Sequence, residues 1–145
     1  MIVVILVALL AGAILPVQAG LNLQLRGLFG QPLAAALVSF VVGTLGLAAL
    51  VVALRLPLPV GGAWVRGHWW VWTGGLLGAA YVVGTIVLAP RLGAATLVAA
   101  LVAGQMITSL VLDQFGWVGF AEHPVGPLRL LGAALVVGGV VLVQR

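Results

Sequence analysis

Long apolar runs, separated by short clusters of charge, proline and glycine, set the plan of this chain. A helix that crosses a bilayer needs about 20 mostly apolar residues, within a range of about 17–25. Five stretches meet that length: residues 2–23, 32–54, 69–89, 92–112 and 127–143. The breaks fall where helix-ending residues collect. Gln24-Leu25-Arg26-Gly27 with Gly30-Gln31-Pro32 makes the first, and Arg55-Leu56-Pro57-Leu58-Pro59 through Arg66-Gly67-His68 the second. Pro90-Arg91 makes the third, expected as a tight turn, and Asp113-Gln114 through Pro127 the fourth. Lipid offers no partner for backbone N–H and C=O, so such runs are helices or barrel strands. Barrel strands are about ten residues long and alternate in polarity. These runs are longer and do not alternate. The pattern predicts an all-α integral membrane protein, one domain over residues 1–145 with five transmembrane helices.

Composition strengthens this. Of 145 residues, 64% are apolar and 6% charged, and the mean hydropathy is +1.36. A soluble domain is about 45–50% apolar and about 25% charged. Soluble enzymes, soluble binding modules and disordered chains are therefore excluded. The net charge of +4 is spread over arginines that form no patch, which argues against nucleic acid. There are no cysteines, so disulfide and thiolate chemistry are absent. Val17-Gln18-Ala19 before Gly20 resembles a signal-peptide cleavage site, but no basic residue precedes Arg26, so the segment is expected to stay as a helix.

Charge also bears on orientation. With five spans, Arg55, Arg66 and Arg129 share the side of the N-terminus, and Arg26, Arg91 and Arg145 lie opposite. Positive residues normally set orientation. Here they balance, which points to dual topology with copies paired antiparallel, or to a partner chain that fixes orientation. Two inverted copies would supply the halves that transporters place around a midplane site. Trp64, Trp69, Trp70, Trp72 and Trp117 fall on the N-terminal side and read as an interfacial belt. His68 and His123 are isolated in loops, so no metal site and no cofactor is expected.

Small residues let helices approach closely in lipid. Gly74 with Gly78, and Gly75 with Ala79, make such pairs. Ala100, Gly104 and Thr108 form a stripe beside Ala95, Ala99 and Ala103, and the last helix carries Gly132, Gly138 and Gly139. Internal packing is expected for the third and fourth helices, and internal packing or a dimer contact for the fifth.

Polar groups inside spans are costly and therefore informative. Pro16 interrupts the first helix and frees the carbonyl of Gly12. Gln18 and Asn22 follow on one face, where they can line a cavity or bond a neighbouring helix. Gln105, Ser109 and Asp113 make a polar stripe with Thr108 alongside. Asp113 is either a buried proton carrier or an interfacial carboxylate paired with Arg129 or Arg55. Ser39, Thr44, Tyr81 and Thr85 are weaker candidates, because a hydroxyl can bond its own helix. No ionisable group lies in the middle third of any span. A neutral or zwitterionic solute fits this better than a proton-coupled cation, unless Asp113 provides coupling.

Several motifs carry a resemblance over essentially the whole chain. They are Pro16-Val17-Gln18 with Asn22, Gly74-Gly75-Leu76-Leu77-Gly78-Ala79 with Tyr81, and Ala89-Pro90-Arg91-Leu92-Gly93-Ala94-Ala95. Gly104-Gln105, Asp113-Gln114-Phe115-Gly116, and Arg129 with Gly132 and Gly138 follow in order. Together they resemble the YdcZ-like family of the drug/metabolite transporter superfamily. The resemblance implies five helices and, in many members, antiparallel homodimers, paired genes or fused ten-helix forms. It also implies a bacterial inner-membrane location. Gln114 stands where the family often has His, which weakens an Asp–His relay. The first-helix glutamate of the more distant small multidrug exporters has no counterpart.

The expected function is a secondary transporter, exporting a small metabolite or amphipathic compound by alternating access in an antiparallel dimer. Gln18, Asn22, Tyr81, Gln105, Thr108 and Ser109 are the candidate substrate contacts, with Asp113 and Arg91 as peripheral coupling or interface charges. The alternatives are a passive dual-topology channel for an anion or neutral solute, and a non-transporting membrane subunit. No enzyme constellation is present.

Overall fold

The computed structural model describes residues 2–57 and 68–144; Trp64, Arg66 and Arg145 lie outside the described residues. The described chain is all helical. Helix α1 covers Ile2–Phe29, α2 Pro32–Ala53, α3 Gly74–Phe115 and α4 Pro127–Val143. Short 3₁₀ turns, Trp69–Thr73 and Trp117–Gly119, precede α3 and follow it. The chain divides into two compact units, Met1–Val87 and Leu88–Arg145. Among the described residues, three helical segments are long and apolar enough to cross a membrane: Ile2–Phe29, Pro32–Ala53 and Trp69–Phe115. Helix α4 is a shorter apolar helix.

The helix ends follow from a few residues. Gly30 adopts a left-handed φ of 72°, and its N–H donates to the Arg26 carbonyl at 2.8 Å. A glycine in that conformation ends a helix without a Cβ clash. Gln31 is extended, and Pro32 opens α2, where a missing N–H costs nothing. Helix α1 therefore runs six residues beyond its expected end at 23. Helix α2 closes with paired bonds, Leu56 N–H to the Val51 carbonyl and Arg55 N–H to the Val52 carbonyl. That pairing requires a left-handed residue, and Arg55 supplies it at φ 50°.

The break expected at Pro90-Arg91 lies instead at Gly93. Helical structure continues through Pro90 and Arg91, and Gly93 alone leaves it, at φ 74° and ψ 166°. That conformation is essentially restricted to glycine. Proline has a helix-compatible φ, and its cost in a helix is one missing N–H plus a clash with the carbonyl four residues earlier. That carbonyl belongs to Ile86, and the Arg26 guanidinium donates to it from Nη1 at 3.0 Å. A side chain of α1 thus meets the carbonyl that Pro90 leaves without an amide partner.

The same contact sits beside the core of the first unit. Ala35 and Ala36 of α2 and Val82 and Ile86 of α3 are buried, with Leu25, Tyr81 and Val83 packed against them. Alanines on α2 allow close approach. Thr85 is buried and donates to the Val82 carbonyl at 2.8 Å, satisfied within its own helix. Most large apolar side chains of α1, α2 and α4 point outward, as expected for helices bathed in lipid rather than water.

Loss of the Arg26 donor leaves a buried carbonyl unmet, which costs about 1–3 kcal/mol. Arg26→Ala is expected to lower the thermal unfolding midpoint of the purified protein. Pro90→Ala returns the missing N–H, so Arg26→Ala should cost much less in that background. Equal losses in both backgrounds would show that the two residues are not coupled.

Candidate functional site

Each unit has a cavity cut into its apolar helices. The smaller, about 220 Å³, lies in the first unit between Gln18 of α1 and Ser39, Phe40, Gly43, Thr44 and Leu47 of α2. Ser39, Gly43 and Leu47 recur at four-residue steps and so share one face. Gln18 lines the cavity opposite two hydroxyls, Ser39 and Thr44, the only polar side chains of α2.

The larger cavity, about 470 Å³, lies in the second unit. Met106, Ser109, Leu110 and Asp113 of α3 line one wall, and Arg129, Gly132, Ala133 and Val136 of α4 the other. Both sets repeat at steps of three, one and three residues, the spacing of a single helix face. The order of residues gives the cavity a polar end and an apolar end. Asp113 is in the last turn of α3 and Arg129 in the first turn of α4, whereas Met106 and Val136 lie two turns further in.

The polar end is built by the loop that joins α3 to α4. Arg129 donates from Nη2 to Asp113 Oδ2 at 2.7 Å and from Nη1 to the His123 carbonyl at 3.1 Å. The His123 N–H donates to the Asp113 carbonyl at 2.7 Å, and the Val125 N–H to Gln114 Oε1 at 2.7 Å. Gly116, Val118 and Gly119 all have positive φ, which turns the chain tightly. Val118 has a branched side chain at φ 58°, so this turn stores strain held by the bonds around it. Phe115 stacks on Trp117 at 4.9 Å. A cation in the first turn of a helix opposes the helix dipole, and the Asp113 carboxylate offsets that at α4. The Asp113 side chain is 22% exposed and that of Arg129 45%. An exposed ion pair in water contributes only about 0.2–1 kcal/mol. Its larger effect here is to fix both side chains at the cavity mouth.

The residues singled out in the sequence separate into groups. Gln18 lines the smaller cavity and Ser109 and Asp113 the larger. Asn22 is buried on α1, and Tyr81 packs against the core of the first unit. Gln105 and Thr108 are exposed and line neither cavity, and Arg91 is exposed. Helix α1 runs unbroken through Pro16. Of the seven glycines named as packing positions, only Gly78 has a close neighbour among the described residues: a Cβ there would lie 3.6 Å from the Phe40 ring. A Cβ at Gly74, Gly104, Gly132, Gly138 or Gly139 would meet no described atom within 4 Å.

Arg26 was not among the candidate residues, although Gln18, Asn22 and Arg26 stand at four-residue steps and Pro90 frees a carbonyl that needs a donor. Ser39 and Thr44, the weaker candidates, share a cavity with Gln18.

Long helices, apolar on almost every face, define a multi-pass membrane protein. The chain belongs to the family described as "Putative inner membrane exporter, YdcZ", which it matches over residues 3–142. It is 43% identical over 83 residues to the inner membrane protein YdcZ of Escherichia coli (strain K12). That alignment takes in 54% of this chain and 52% of the relative, so it spans about half the length of that protein. No solved structure matches the chain. The protein resides in the bacterial inner membrane.

Arg129→Gln removes the donor that joins Asp113 to His123. Amide exchange across residues 116–126 is expected to quicken at least several-fold, while exchange in α1 and α2 stays unchanged. Arg129→Lys keeps one charged contact but not the fork, and should fall between.

Proposed function

We propose that the protein is a secondary transporter that exports a small metabolite or amphipathic compound. Two five-span copies, inserted in opposite directions, form the working unit and move the solute by alternating access. The single observation that carries this reading is a cavity of ligand size with a charged mouth and an apolar floor, in a chain of an exporter family. Gln18, with Ser39 and Thr44, and Ser109, with Asp113 and Arg129, are the proposed solute contacts. Asn22, Tyr81, Gln105, Thr108 and Arg91 are proposed to act only where a second copy or a change of state completes a site around them.

The five-span reading draws support from length. The segment Trp69–Phe115 has 47 residues. At 1.5 Å per residue it would be roughly 70 Å long, more than twice a hydrocarbon core of about 30 Å. Gly93 divides α3 into arms of about 19 and 22 residues, each long enough for one crossing. Helix α4, with 17 residues, is at the lower limit for another. Asp113 is read as the anchor of Arg129, since the pair is already made. The balanced arginine count supports insertion in both directions.

A cysteine appended to the C-terminus would be the only thiol in the protein. In intact cells, a membrane-impermeant thiol reagent should block about half of it if both orientations occur. Complete blocking or complete protection would end the homodimer reading and require an oppositely inserted partner chain. Gln18→Ala and Ser109→Val are expected to reduce efflux from proteoliposomes by about tenfold without changing protein yield, as loss of about 1.4 kcal/mol of solute contact would. Unchanged efflux in both would remove these residues from the solute path.

A further inference from the structure

We propose that the larger cavity binds a zwitterion with an apolar body, its cationic group on Asp113 and its anionic group on Arg129. The proposal rests on the transporter reading and names the substrate class for it. The cavity of about 470 Å³ falls within the usual range for small-molecule sites of about 300–1,000 Å³. Its charged groups have capacity left. Arg129 uses one N–H on Asp113 Oδ2 and one on the His123 carbonyl, of the five it carries. Asp113 Oδ1 accepts no hydrogen bond among the described residues, and neither does the Ser109 hydroxyl take part in one. An ammonium or other N–H donor fits Oδ1, and a carboxylate or phosphate oxygen fits the spare guanidinium donors.

Charge then selects among ligands. The ion pair is neutral as a whole. A lone cation drawn to Asp113 is repelled by the adjacent Arg129, and a lone anion drawn to Arg129 is repelled by Asp113. A ligand with both charges lies head to tail against the pair and meets attraction at each end. Its apolar part lies along Leu110 and Val136 toward Met106, away from the loop. The same chemistry is offered by a free solute, such as an amino acid with an apolar side chain, and by the headgroup of a zwitterionic lipid.

The test uses the full chain in nanodiscs and calorimetric titration with three solutes of matched chain: 2-aminooctanoate, octylamine and octanoate. In phosphatidylglycerol discs, 2-aminooctanoate should bind at least tenfold more tightly than either single ion. Asp113→Asn and Arg129→Gln should each abolish that preference. Because either variant can disturb the loop, Val136→Trp provides an independent check: it leaves the ion pair and fills the apolar end, and should weaken the zwitterion by tenfold or more. Weaker binding of 2-aminooctanoate in phosphatidylcholine discs would assign the site to lipid headgroups; equal binding would assign it to free solute, and both support the zwitterion chemistry. Equal affinity for all three solutes, or zwitterion binding untouched by Val136→Trp, would overturn it. Flux of 2-aminooctanoate in proteoliposomes is measured beside binding. Selective binding without flux keeps the pocket and removes its role in transport, whereas flux without charge selectivity overturns the pocket.

Discussion

A carbonyl oxygen within an apolar helix has no water to turn to, and Pro90 creates one at Ile86. The Arg26 guanidinium meets it at 3.0 Å, and much of the first unit is arranged around that contact. Helix α1 runs past its expected end at 23, and that extension carries Arg26. Ala35 and Ala36 must be small for α2 to lie close beside Ile86. Helix α3 continues through its proline and breaks only where glycine allows a non-helical conformation. A charged side chain within an apolar chain is tolerated for the same reason: it has a fixed polar partner.

The second unit solves a different problem with similar means. Its loop must reverse the chain between α3 and α4 with few residues and strong backbone strain. Asp113 and Arg129 hold the two helix ends, and backbone groups at 113 and 123 and the amide of Gln114 tie down the rest. Charges used as fasteners in this way are also the charges that face the cavity. On the proposed function, structure and recognition would share the same atoms, and a ligand that engages Asp113 or Arg129 would act directly on the loop that sets their spacing.

The sequence made the apolar helices and most of their limits legible, because length and hydropathy act locally. Gly30-Gln31-Pro32 marked the first break for reasons visible in three residues. Pro90 misled because proline has a helix-compatible φ and the chain leaves the helix only where a glycine takes a non-helical conformation, three residues later. The stripe through Ser109 and Asp113 was legible, and so was Arg129 as one of two possible partners. Gln105 and Thr108 share a polar stripe with Ser109, yet the cavity wall takes only the face that includes 106, 109, 110 and 113. A shift of about 100° per residue separates a lining side chain from one on another face of the helix. The glycines were read as packing positions, within the chain or between copies, because small residues permit close approach; permission does not supply the neighbour, and among the described residues only Gly78 has one.

The helices at the two ends of the chain differ greatly in length. Helix α1 has 28 residues and α4 has 17, roughly 42 Å and 26 Å of axis. A hydrocarbon layer of about 30 Å suits neither. On the five-span reading, α1 must tilt or project while α4 draws the bilayer inward around it. Lipids beside α4 would then be thinner and more disordered than those beside α1. The membrane itself becomes an adjustable part, since acyl chains of different length would favour one helix at the expense of the other.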